Sequence, residues 1–236
     1  MASAGDAVMS TMSWRSLRAA AHLALRRVEL RVEGGEHLPE SGPGIIAARH
    51  FHHLYDGCAL VATVPRPLHI VVALDWVQGT VGRRIMDAAC RMAQWPVVLR
   101  PPLDGQAAVP PAPTAERGRR LRHAAEESVS LLRAGRLLVV FPEGFPNVDP
   151  HGSKKPDDAT FLPFQPGFVH FARLAERDGR TRVPIIPAGL AYQRGARWRI
   201  TLRFGEPLWL SQDADRAALT RAVEARVREL SRPAPP

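Results

Sequence analysis

The chain has 236 residues with 45% hydrophobic and 6% aromatic content, 32 Lys+Arg against 23 Asp+Glu, and a formal net charge of +9. That length and apolar content support one domain with its own core and exclude a disordered polymer. The basic excess suits a phosphate-bearing partner or an anionic surface, while the scarcity of aromatics argues against single-stranded nucleic acid, which needs stacking platforms.

Residues 1–12 are small and polar and read as a loose tail. From Ser13, a plausible N-cap, Trp14, Leu17, Ala21, Leu25 and Val28 recur at spacings of three and four, with Arg15, Arg18, His22 and Arg26 mostly off that line. This predicts an amphipathic helix, open to two readings: packing on the core, or lying in the plane of a membrane with its basic face outward. "VELRVEGG" alternates as a strand does and runs into a Gly-Gly turn. Ile45 to Ala48 is a short apolar strand that ends where the histidines begin.

Pro67 to Leu74 reads as one strand, and "GTVGRRIMDAACRMAQ" as a helix with Ile85, Ala89 and Met92 on one face. "WPVVLR" is a strand ending at Arg100, followed by "PPLDGQAAVPPAPTAE", a proline-rich loop or lid. Glu116 to Arg133 predicts a helix with Leu121, Ala125, Val129 and Leu132 inward, stopped by Gly135. "RLLVVF" is the continuous apolar run of a strand covered on both faces. A helix over "GFVHFARLAERDG", strands over "VPIIPAGLAY" and "WRITLRFGEPL", and a basic helix from Asp213 to Leu230 complete the pattern. The alternation predicts an α/β class: a single domain with a mixed, mostly parallel sheet flanked by helices. The expected boundaries are an N-terminal tail and helix over 1–27, the main domain over 28–231 and a tail over 232–236.

Three stretches fall at strand-to-loop junctions, where open α/β sheets place their sites: "RHFHHLYDG" after "IIAA", "FPEG" after "LLVV", and "VPIIPAG". In the first, His50, His52, His53 and Asp56 offer an HxH pair with a carboxylate, which a metal could use. The remaining histidines (His22, His37, His69, His123, His151 and His170) are scattered, and none is paired with a cysteine. An acid–base reading needs less: one imidazole that reaches a hydroxyl and one carboxylate that orients it. A third reading has the histidines cap a helix while Asp56 binds turn amides. Cys58 and Cys90 form no CxxC pair and read as buried free thiols. The N-terminus lacks a signal-peptide order, and no apolar run reaches the ~20 residues of a spanning helix.

Taken in order and at their separations, "IIAARHFHHLYDG", "WPVVLR", "FPEG" and "VPIIPAG" resemble the PlsC-like glycerolipid acyltransferases, the group of glycerol-3-phosphate and lysophosphatidic acid acyltransferases, over roughly residues 28 to 210. The resemblance implies acyl transfer in phospholipid biosynthesis, from acyl-CoA or acyl carrier protein to a hydroxyl of a glycerolipid-type acceptor. It implies His50 and Asp56 as the catalytic pair, with His52 and His53 as alternates, because the family spaces its histidine and aspartate by four residues and here Phe51 occupies that position. It implies Arg100, Glu143, Gly144 and Pro187 as substrate-binding residues, with Glu143 on the acceptor polyol. No cofactor is expected, and no metal, because no second ligand cluster accompanies the histidines. "FPEG" is followed by Phe145 and Pro146, where the family has a threonine and an arginine; Lys154 and Lys155 either replace that charge or are solvated surface lysines. The expected partners are the thioester donor, a lipid acceptor and an anionic membrane surface, with no nucleic acid, and the expected location is cytoplasmic and peripherally membrane-associated. The alternatives are a metallohydrolase built on the histidine cluster, or a non-enzymatic basic protein that binds nucleic acid or membrane.

Overall fold

The computed structural model describes residues 4–74, 77, 80–99, 114–150, 152–210 and 215–233. Strands β1 (Val28–Glu33), β2 (Gly44–Ala48), β3 (Leu68–Ile70), β6 (Leu137–Val140), β7 (Ile185–Gln193) and β8 (Trp198–Phe204) form one sheet in the order β1-β8-β7-β2-β6-β3. Every neighbouring pair is parallel except the antiparallel β7–β8 hairpin, so the sheet is mixed and mostly parallel, as expected. Two short strands, β4 (Val72–Ala73) and β5 (Val97–Val98), pair in a small second sheet. The helices are α1 (Ala4–Ala24), α2 (Tyr55–Thr63), α3 (Thr80–Ala93), α4 (Thr114–Arg133), α5 (Gly167–Glu176) and α6 (Arg216–Leu230).

Side-chain alternation along the strands divides the core into two layers. Ile46, Ala48, Leu137, Val139, Ile186 and Ala188 face the side covered by α1 and α2. Ile45, Ala47, Leu138, Val140 and Ile185 face the side covered by α4, α5 and α6. Both faces are dry, which explains the unbroken apolar runs of β2 and β6. On the second side α6 comes directly onto β7: a Cβ on Gly189 would stand 2.4 Å from the Leu230 carbonyl carbon, so only glycine admits this approach.

Several expectations are corrected. α1 begins at Ala4, so Ser13 lies inside it and is no cap, and Val28 opens β1. Its apolar stripe is spent on the protein: Ala21 and Leu25 are buried, and Trp14 and Leu17 pack against the same cluster. From Trp14 onward the helix therefore packs this stripe on the core. The Pro67–Leu74 run is two strands, because the chain changes sheets at Val71: Val71 N donates to Val139 O of the large sheet, and Val72 N to Pro96 O beside the small one. Leu121 points outward, 57% exposed, while Leu132 is buried. Ile85, Ala89 and Met92 do share a face of α3, and it is the exposed one. Gly135 ends α4 with φ +73°, the left-handed conformation of a helix stop. Arg100, the proline-rich 101–113 and Asp213 lie outside the described residues.

Candidate active site

The register of β2 and β6 builds the site. Ala47 pairs with Val140 at the carboxyl ends of these parallel strands, and three residues beyond each stand His50 and Glu143. The His50 N–H donates to Glu143 Oε1 at 2.8 Å. Lys155 Nζ ion-pairs with Glu143 Oε2 at 2.6 Å, and also donates to the His50 carbonyl at 2.6 Å and Asn147 Oδ1 at 3.1 Å. The Leu162 N–H donates to Glu143 Oε2 at 3.0 Å. The peptide groups on either side of His50 are thus gripped, the N–H by the carboxylate and the C=O by the ammonium. Both charged side chains are fully out of water. Burial lowers the Lys155 pKa, against the pull of the Glu143 charge.

Two residues singled out in the sequence meet here. Lys155 is not a solvated charge, whereas Lys154 is exposed, with Nζ 5.0 Å from the centre of the Phe145 ring. Both oxygens of Glu143, the residue expected to meet an acceptor polyol, accept from protein donors.

Asp56, in the first turn of α2, is the second anchor and is completely buried. Its Oδ2 meets His50 Nδ1 at 2.9 Å and accepts from the Phe51 N–H at 2.7 Å and the His52 N–H at 3.0 Å. Its Oδ1 accepts from the Tyr192 hydroxyl at 2.5 Å. Asp56 already receives two amide protons and a phenol proton, and a ring nitrogen facing the same oxygen joins them as a further donor. The network therefore assigns the imidazole proton to Nδ1 and leaves the lone pair on Nε2. The ring stacks on Phe141, 4.4 Å between centroids and 21° apart in plane, and its side chain keeps 15% exposure. A basic nitrogen at the end of a buried strand, oriented by a fixed carboxylate, is the equipment of a general base.

A family model for acyltransferases matches residues 29–191, a span that contains both anchors. The chain belongs to the acyltransferase family. Its fold is similar to the crystal structure of PlsC from Thermotoga maritima, a 1-acyl-sn-glycerophosphate acyltransferase, with a TM-score of 0.63 at 18% identity over 92% of this chain and 77% of that one. No curated protein matches the sequence.

The acyltransferase histidine stretch has one residue more than the family spacing, and the structure shows how it is absorbed. Phe51 is buried and stacked on Tyr192 at 4.2 Å. His52 Nδ1 accepts the N–H groups of Leu54 at 3.2 Å and Tyr55 at 3.3 Å, capping α2. His53 Nδ1 donates to the Val148 carbonyl at 3.2 Å. Of the three imidazoles only His50 meets the Asp56 carboxylate through its ring. Among the described residues no group of three or more His, Cys, Asp or Glu is arranged to hold a metal.

Burial, then the neighbouring His53, pushes the His52 pKa down to about 4. A histidine depressed on folding contributes stability that is complete above its unfolded value near 6.5 and is lost as pH falls toward the folded value. Between pH 7 and 4.5 His52 should therefore remove about 2 kcal/mol. Urea titrations of the wild type and His52→Asn, whose side-chain oxygen can still cap α2, check this. The variant should lose less stability over that interval, and equal slopes would refute the assignment.

The remaining predicted residues fall at different distances from this centre. Gly144 follows Glu143 with φ +75° and closes a tight turn, its N–H donating to Phe141 O. Pro187 is buried inside β7 opposite Ala47. Cys58, two residues past Asp56, has its thiol pKa pushed up to about 11 by burial and by the Asp56 charge, so it is no nucleophile near neutrality.

Two contributors, Tyr192 and Arg49, were not foreseen, and Lys155 was foreseen only as a surface charge or a replacement for the family's basic residue. Tyr192 binds Asp56, and its pKa stands well above the usual value because of burial and that charge. Its place at the end of the apolar run "PIIPAGLAY" was the available signal. Lys155 gave none, being one of two adjacent lysines in a polar loop. Arg49 lies between the Phe51 and Phe161 rings, at 4.9 and 4.3 Å, and donates to the Leu190 and Asp158 carbonyls, tying the 158–161 loop over the site.

Proposed function

We propose that this acyltransferase moves a fatty acyl group from a thioester, acyl-CoA or acyl carrier protein, to a hydroxyl of a lysophospholipid-type glycerolipid acceptor. The observation that carries the reading is the 2.9 Å contact between His50 Nδ1 and the buried Asp56 carboxylate, which leaves Nε2 as the base. His50 takes the acceptor's hydroxyl proton, and the oxygen attacks the thioester carbonyl. The tetrahedral intermediate then expels the thiolate, which takes the proton from the imidazolium. Asp56 keeps the tautomer and offsets the positive charge that forms on the ring. Direct attack is favoured because the sequence has no GxSxG elbow and the Cys58 thiol is held protonated.

In this proposal Glu143 and Lys155 position the base instead of touching the acceptor. Gly144 allows the turn that brings the Glu143 carboxylate back to the His50 amide, and Arg100 supplies positive charge on the acceptor side, as the resemblance implies. The enzyme works at a membrane face; among the described residues no helix is long and apolar enough to cross one.

The test is acyl-CoA offered with lysophosphatidic acid, glycerol 3-phosphate and neutral lysolipids, in buffer containing a chelator, with products read by mass spectrometry. The expected result is a new ester on a lysophospholipid, insensitive to the chelator. Free fatty acid whatever the acceptor, or activity lost to the chelator and restored by zinc, would favour the metallohydrolase alternative.

A further inference from the structure

The apolar arc of α3 is wider than its packing uses. Met86 and Cys90, four residues apart, pack against Leu74, Val77, Trp95 and Val97. Val81, Ile85 and Met92 stand at i, i+4 and i+11, a separate stripe, and are 69%, 63% and 72% exposed. Isolated exposed apolar residues are ordinary, but a continuous stripe on one helix marks a contact surface. Arg84, Asp87 and Arg91 form the adjoining ridge. Asp87 pairs with Arg120 of α4 at 3.7 Å, and both Arg84 and Arg91 are exposed. Through that pair Arg120 adds to the charge beside this ridge.

We propose that the Val81–Ile85–Met92 stripe of α3 is the surface on which the protein rests on an anionic phospholipid bilayer, with the apolar side chains among the acyl chains and Arg84 and Arg91 at the headgroup phosphates. Apolar residues on one arc and arginines beside them are the signature of a helix lying in the interface. The charge on this flank, within a chain of net charge +9, complements anionic lipid. Three apolar side chains fall well short of the about 20–30 residues a side of a stable protein–protein interface, which disfavours a second copy as the occupant. On α1 the stripe of Trp14, Leu17, Ala21 and Leu25 is against the core. The inference does not depend on the acyl-transfer reading, because binding is measured without turnover.

The test is co-sedimentation of the full chain with phosphatidylglycerol or phosphatidylcholine vesicles. The wild type should bind the anionic vesicles, and an Ile85→Glu/Met92→Glu variant should bind them at least ~10-fold less. Arg84→Ser/Arg91→Ser should bind more weakly and with a shallower salt dependence, since each basic residue near such a surface contributes about 1 kcal/mol. Both pairs are exposed, so an unchanged thermal melt verifies folding. Leu23→Glu, exposed on α1, should bind as the wild type does. Absence of wild-type binding, indifference to lipid charge, or full binding by the glutamate variant would overturn the proposal. So would a wild-type dimer that the glutamate variant dissolves, because a second copy would then cover the stripe.

Discussion

His50→Ala is expected to lower thioester turnover by ~10²–10⁴-fold, the usual contribution of a positioned general base, with little change in unfolding free energy. The substitution removes the group whose Nε2 is placed to take the acceptor's proton. Asp56 keeps its bonds from the Phe51 and His52 amides and from Tyr192, so the loop has its other anchors. His52→Asn should retain turnover within a few-fold, since His52 caps α2 and its ring does not contact Asp56. Thiol release measured on both variants separates the histidines. An active His50→Ala beside an inactive His52→Asn would mean that the wrong imidazole has been chosen; activity in both would mean that neither is the base.

Lys155→Met is expected to destabilise the protein by about 3–5 kcal/mol, because it leaves the buried Glu143 carboxylate without its ion-pair partner. Neutralising the partner as well, in Lys155→Met/Glu143→Gln, should recover part of that loss, since no unpaired charge remains buried and the glutamine oxygen can still accept from one of the His50 and Leu162 amides. Urea unfolding of the two variants decides between a structural ion pair and a surface charge. A Lys155→Met variant within ~0.5 kcal/mol of the wild type would be the behaviour of a surface lysine. Turnover by the double variant addresses position: the His50 carbonyl loses its bond to Lys155, so kcat should fall even where stability returns.

The parts of this molecule that were legible in its sequence are those decided by local pattern. The apolar runs at Ile45–Ala48 and Leu137–Val140 are strands buried on both faces, and the residues just after them form the site because parallel strands end on the same edge. The same pattern could not reveal that Pro67–Leu74 changes sheets at Val71, since each half is as apolar as the other. Nor could the periodicity of α3 say which part of its apolar arc would be covered. The extra residue before Asp56 was visible, but its resolution depended on Tyr192, over a hundred residues downstream, taking Phe51 as a stacking partner. Lys155 was least legible. A lysine is buried only where a partner waits for it, and Glu143 becomes that partner only once the loop beyond "FPEG" has folded back.

The claim that His50 and Asp56 activate an acceptor hydroxyl for direct attack is tested most directly by thiol release from acyl-CoA, followed from the first turnover at high enzyme concentration, with and without a lysophospholipid. Direct attack predicts release only when the acceptor is present, one thiol per acylated product, no initial burst, and no acylated protein by mass spectrometry. A stoichiometric burst without acceptor, accompanied by an acyl group covalently bound to the chain, would contradict it.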